Sequence, residues 1–140
     1  MKKTIFTILL IICTLNATIY TNLKTGSMPC LQNDDKVLVV ECHPFESLKT
    51  GDVIAYRPTK DKLDTLGKYR ELSPLAASYI SIFENPPFSY NSVLFHRIVY
   101  IGGDFVIARA DISSMPDPVK IGKEDYRGKV EAPKCAERRK

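Results

Sequence analysis

Three features of this chain are of the kind that does nucleophilic and acid–base chemistry. They are a serine in a small turn, Thr25-Gly26-Ser27-Met28-Pro29-Cys30-Leu31, a histidine on an apolar run, His96, and two aspartates that follow it, Asp111 and Asp117. A serine at a glycine-containing bend can come close to a carbonyl, but its hydroxyl is a poor nucleophile until a base takes the proton. Imidazole suits that exchange near neutral pH, and a carboxylate beside it would orient the ring and stabilise its charged form. The other histidine, His43, precedes Pro44 at a strand end and reads as a loop residue. By themselves, a Gly-Ser-Met-Pro turn is more often an ordinary loop, and a histidine on an apolar strand more often a satisfied core residue. The elements that position them decide between these readings.

At 140 residues and 44% hydrophobic content, the chain has enough material for one domain with a core. Its formal charge of +4 comes from lysines and arginines interspersed with acids, so no stripe suited to nucleic acid stands out, and no nucleic-acid partner is expected. Cys13, Cys30, Cys42 and Cys135 form no C-x-x-C pair and have no histidine at ligand spacing, which argues against a metal site. With Cys13 in the apolar run, any two of the other three could pair in an oxidising compartment.

Four segments read as strands. Lys36 to Glu41 follows the turn residues Asn33-Asp34-Asp35, and Val53 to Arg57 follows Gly51-Asp52 and is closed by Pro58. Phe95 to Ile101 alternates with period two, breaks at Gly102-Gly103-Asp104 and restarts as Phe105 to Arg109, the pattern of a hairpin. Short strands between Gly-Asp turns predict a mainly β domain, a sandwich or a distorted barrel. From 58 to 94 the texture changes. Ser73-Pro74 is a helix start, and Leu75, Tyr79, Ile82 and Phe83 fall along one face, so a small, partly helical insertion is expected, packed on the surface.

Ahead of the serine turn, Thr4 to Leu23 carries no charge and is rich in Ile and Leu. As a helix those twenty residues would reach roughly 30 Å, enough to cross a bilayer core. Residues 1–24 are therefore expected to be an N-terminal transmembrane anchor, with the lipid bilayer as partner, in preference to a cleaved signal peptide whose h-region would be Ile5 to Leu15. Lys2 and Lys3 keep the N-terminus cytoplasmic and put residues 25–140 outside as one single-pass, extracytoplasmic domain.

The order of these motifs resembles that of the type I signal peptidases, membrane-bound serine endopeptidases that remove signal peptides from exported proteins. The family's S-G-S-M-x-P-T-L-x-x-G-D-x-V-L-V is similar to Thr25 through Val39, with one residue fewer between Met28 and Pro29. Its G-D-I-V is similar to Gly51-Asp52-Val53-Ile54, and its K-R-V-I-G-L-P-G-D, or the H-R-V variant, to His96 through Asp104. Its G-D-N segment and the tail after it resemble Ala110 to Asp117 and Ile121 to Val130, with Ala110 and Ile112 in place of the glycine and asparagine.

The resemblance, to the histidine-containing branch typical of the endoplasmic reticulum and archaea, implies a signal-peptidase-like β domain. Ser27 would be the nucleophile, His96 the general base, and Asp117, or next Asp111, the orienting acid. The Ser27 N–H and the Thr25 hydroxyl would form the oxyanion hole, and Met28 would line a pocket for small residues. Signal-peptide-bearing preproteins would be substrates and no cofactor would be needed. Two other readings remain beside it: a degenerate, membrane-tethered β-domain that binds a peptide or a partner without cutting, and a LexA-type self-cleaving serine peptidase.

Overall fold

The computed structural model describes residues 17–89 and 91–136. Six strands form one antiparallel sheet: β1 (Ala17–Thr21), β2 (Lys36–Val40), β3 (Val53–Tyr56), β4 (Leu94–Ile101), β5 (Val106–Arg109) and β6 (Tyr126–Glu131). Their order across the sheet is β1-β2-β6-β3-β4-β5. The mainly β expectation holds, and the strands lie in this single sheet. The four expected strands are present, with β4 and β5 as the hairpin, its turn closed by the Gly102 N–H on the Phe105 carbonyl.

Side chains alternate across each strand, and the sheet buries both faces. One carries Val39, Val53, Ala55, Phe95 and Val130, packed on Met28, Leu31 and Cys135. The other carries Ile54, Tyr56, Leu94, Ile98 and Ala108, packed on Tyr79 and Ile121. Register pairs Ala55 with Phe95 and Ile54 with His96, which fixes the face each one joins. Gly128 of β6 lies tight against the end of β2. Its φ is +152°, and an added Cβ would lie 2.5 Å from Val39 Cγ1.

The 58–94 insertion holds two helices, α1 (Lys60–Gly67) and α2 (Pro74–Glu84). The second starts as its sequence predicts, with the Ser73 side chain accepting from the Ala76 N–H and Pro74 at the first position. A last short helix, α3 (Pro133–Ala136), carries Cys135, whose sulfur is bonded to Cys30 in the 3-10 turn Pro29–Leu31.

One expectation is corrected. The segment expected to be helical from Thr4 to Leu23 ends in a strand, because Ala17–Thr21 pairs with β2 from Ala17↔Val40 to Thr21↔Lys36. The rest of the expected anchor lies outside the described residues. Among those described, no helix is long and apolar enough to cross a membrane.

Candidate active site

The serine turn owes its shape to its backbone. Gly26 has φ +79° with open space around it, so glycine is needed there for conformation rather than for room. Lys24, with φ +51°, is a non-glycine residue in the same left-handed region. Between them sits Thr25, whose hydroxyl lies 2.8 Å from that of Ser27. Met28 is buried against Phe95 and Val93, and the Leu31 N–H donates to its carbonyl. Thr25, Ser27, Met28 and Phe95 line a cavity of about 30 Å³, floored by apolar groups.

His96 points to the other face of β4 from Phe95. It is 4% exposed, and its Nδ1 lies 2.6 Å from Asp117 Oδ2. A carboxylate can only accept, so Nδ1 carries the proton and Nε2 is the nitrogen left to act as a base. The same Oδ2 receives the Tyr56 hydroxyl at 2.5 Å, and Tyr56 in turn lies 2.7 Å from the Tyr79 hydroxyl. Both phenols are pushed well above their ordinary range, first by burial and then by the neighbouring hydroxyl and carboxylate for Tyr56, and by Asp117 for Tyr79. They remain protonated donors.

Asp111 has a different partner. Its two oxygens take Arg97 Nε and Nη2 at 2.8 Å each, while Arg97 Nη1 donates to the Gly51 carbonyl. The Asp111 pair holds the guanidinium above its ordinary pKa. The Gly51-Asp52 turn is itself held against β4: the Gly51 N–H donates to the Ile98 carbonyl and the Ile98 N–H to the Asp52 carbonyl. So the second sequence motif serves to seat Arg97, and Arg97 to seat Asp111.

The segment from Ala110 to Asp117 joins the two halves. At its start the Asp111 N–H reaches Met28 Sδ and the Ile112 N–H reaches the Ser27 carbonyl, each at 3.4 Å. At its end the Asp117 N–H donates to the Ala108 carbonyl at 2.8 Å, which aims the carboxylate at His96. The structure thus brings together Ser27 with Thr25, and His96 with Asp117. Among the described residues, it makes no hydrogen bond between Ser27 and His96; the serine hydroxyl is engaged with Thr25 instead.

Tyr56 and Tyr79 were not expected at the site. The first reads as a strand residue and the second as part of the apolar face of α2. Nor did the sequence decide the cysteines, of which Cys30 and Cys135 pair; Cys42 is also disulfide-bonded. Among the described residues no cluster could hold a metal ion. Compared with protein-family models, curated proteins and solved structures, the chain matches none. Its chemistry is therefore argued from its own geometry.

Proposed function

We propose that the chain is a serine endopeptidase of the signal-peptidase-like, histidine-containing kind, its sheet being that family's β domain, acting outside the cytoplasm on exported preproteins. The observation that carries this reading is the His96–Asp117 pair, tied through one short segment to the turn that holds Ser27. In the reaction, Ser27 Oγ attacks the scissile carbonyl as His96 Nε2 takes its proton. The imidazolium, held by Asp117, then returns that proton to the leaving amine, and water releases the acyl group from Ser27 by the reverse sequence. The Ser27 N–H and the Thr25 hydroxyl receive the oxyanion.

Substrate has a part in assembling the site. A catalytic hydrogen bond often tightens only with substrate in place; here the reaction requires Ser27 to leave Thr25 and reach Nε2 of His96, which belongs to the side of β4 opposite Phe95 and the serine turn packed on it. That exchange also frees the Thr25 hydroxyl to donate to the oxyanion. The cavity beside Ser27, about 30 Å³ and lined by apolar groups that include Met28, Leu31 and Phe95, suits a small apolar side chain. It supports cleavage after small residues. The disulfide between Cys30 and Cys135 supports an oxidising, extracytoplasmic location.

The test is cleavage of a preprotein with small residues at its cut site by the full chain in detergent or lipid, compared with Ser27→Ala and His96→Ala. Both variants should lose cleavage while keeping their fold. Undiminished cleavage by either would end the proposal.

The engagement of Ser27 by Thr25 favours a second reading, a domain that binds an extended peptide without cutting it. A fluorophosphonate probe separates the two. Labelling that disappears in Ser27→Ala supports the peptidase, and a bound but intact peptide with no labelling supports the binding domain.

A further inference from the structure

We propose that Tyr56 and Tyr79 are positioning residues for the Asp117–His96 pair, which makes the helical insertion part of the site's machinery. The inference rests on the peptidase reading above.

Tyr56 has no exposed surface and Tyr79 is 4% exposed, in a cluster that includes Leu48, Ile98 and Val106. Burying two hydroxyls and a carboxylate in such surroundings is unfavourable unless each finds a partner, and phenylalanine would fill the same space without that cost. The hydroxyls here have a directed arrangement. Each phenol has one proton. Tyr56 gives its own to Asp117 Oδ2, so the proton between the two tyrosines belongs to Tyr79. The chain of donors therefore runs from Tyr79 to Tyr56 to Asp117, and it meets His96 Nδ1 on the same oxygen.

Two donors on one oxygen fix the rotation of the carboxylate. They also divide its charge, so that the imidazole receives only part of the attraction the carboxylate could give. Tyr79 comes from α2, where Phe83 packs on its ring edge-on at 5.3 Å. Tyr56 likewise meets the His96 ring edge-on at 6.2 Å. Among the described residues, the charged groups around this chain of donors are Asp117 itself and, towards Tyr79, Asp125, which is paired with Lys62 of α1. How α2 seats on the sheet thus reaches the base through hydroxyl contacts.

The experiment uses the full chain in detergent micelles as wild type, Tyr56→Phe, Tyr79→Phe and the double variant. With only two histidines in the sequence, nitrogen-15 labelling resolves His96 once His43→Asn has assigned the other signal. Removing the Tyr56 hydroxyl should return carboxylate charge to the imidazole, raising its titration midpoint by about half a unit or more and moving the Nδ1 proton downfield. Tyr79→Phe should do the same to a smaller extent. Turnover should fall about tenfold or more with KM little changed, and its acid limb should move up in pH with the midpoint.

An unchanged midpoint in folded variants overturns the proposal. Should Tyr56→Phe fail to fold, Tyr79→Phe, which leaves the Tyr56 bond to Asp117 in place, decides it alone. Wild-type protein that cleaves nothing would sink the peptidase reading, and a midpoint shift in that same protein would still establish that the hydroxyls hold Asp117.

Discussion

Asp117 and His96, separated by 21 residues in the chain, meet through Oδ2 and Nδ1 at 2.6 Å, whereas Asp111 is bound on both oxygens by Arg97. Two acids six positions apart therefore have separate tasks. One faces the imidazole, and the other fastens the segment that touches the serine turn.

The two acids should respond differently to substitution. Asp117→Asn keeps the shape but reverses the tautomer that the imidazole needs, so turnover should fall by about 10⁴ with little change in melting temperature. Asp111→Ala leaves the Arg97 guanidinium, 13% exposed, without its carboxylate. It should cost about 3 kcal/mol of stability, read as a lower urea midpoint, with a smaller proportional effect on turnover of the folded fraction.

Thr25→Val removes the hydroxyl that lies 2.8 Å from Ser27 and keeps the shape of the side chain. If that hydroxyl receives the oxyanion, turnover should drop by about 10² to 10³ while KM stays close to wild type, and Thr25→Ser should restore most of it. Steady-state kinetics on a peptide substrate measures both, and equal turnover in valine and threonine forms would remove Thr25 from the mechanism.

His43 supplies a pH dependence of stability that is independent of catalysis. Among the described residues its buried Nε2 has no partner, and burial, followed by the nearby Lys129, holds its pKa below the ordinary 6.5 against the opposing pull of Asp52, the Ser47 backbone and Glu131. Because the folded pKa is depressed, the unfolded chain takes up the proton first. The contribution is complete above pH 6.5 and is lost as pH falls below it through the folded value. Melting temperatures measured from about pH 8 to about pH 5 should decline less in His43→Asn than in wild type.

Cutting the tie between Cys30 and Cys135 should cost stability through the unfolded state, since the bridge spans 105 residues. A loop of that length corresponds to at most about 4 to 5 kcal/mol, and measured losses are commonly about 2 to 4. Denaturant unfolding of a Cys30→Ala, Cys135→Ala double variant provides the comparison, and an unchanged midpoint would refute the estimate.

What could be read from the sequence follows physical lines. The hairpin was legible because period two and the Gly102-Gly103-Asp104 turn are local signals. The start of α2 was legible because a serine cap and a proline act within one turn. By contrast, β1 merged into the apolar run before it, since Ala17-Thr-Ile-Tyr-Thr is uncharged too; its β-branched and aromatic residues were the available signal. In β6, Arg127, Gly128 and Lys129 hide the alternation that buries Gly128 and Val130. At the site, Ser27, His96 and the preference for Asp117 came from motif order. The Tyr56 and Tyr79 hydroxyls did not, because each partner is 23 or more residues away and an aromatic residue in a strand or helix face reads first as packing.

The bridge from Cys30 to Cys135 also governs how any cut in this protein would be seen. Strands β2 to β6 all lie between the two cysteines. A break anywhere from Leu31 to Lys134, whether made by a contaminating protease or by the chain itself, leaves the pieces covalently joined. On a gel without reductant such a molecule keeps the mobility class of the intact chain, so self-cleavage between the two cysteines can be judged only after reduction.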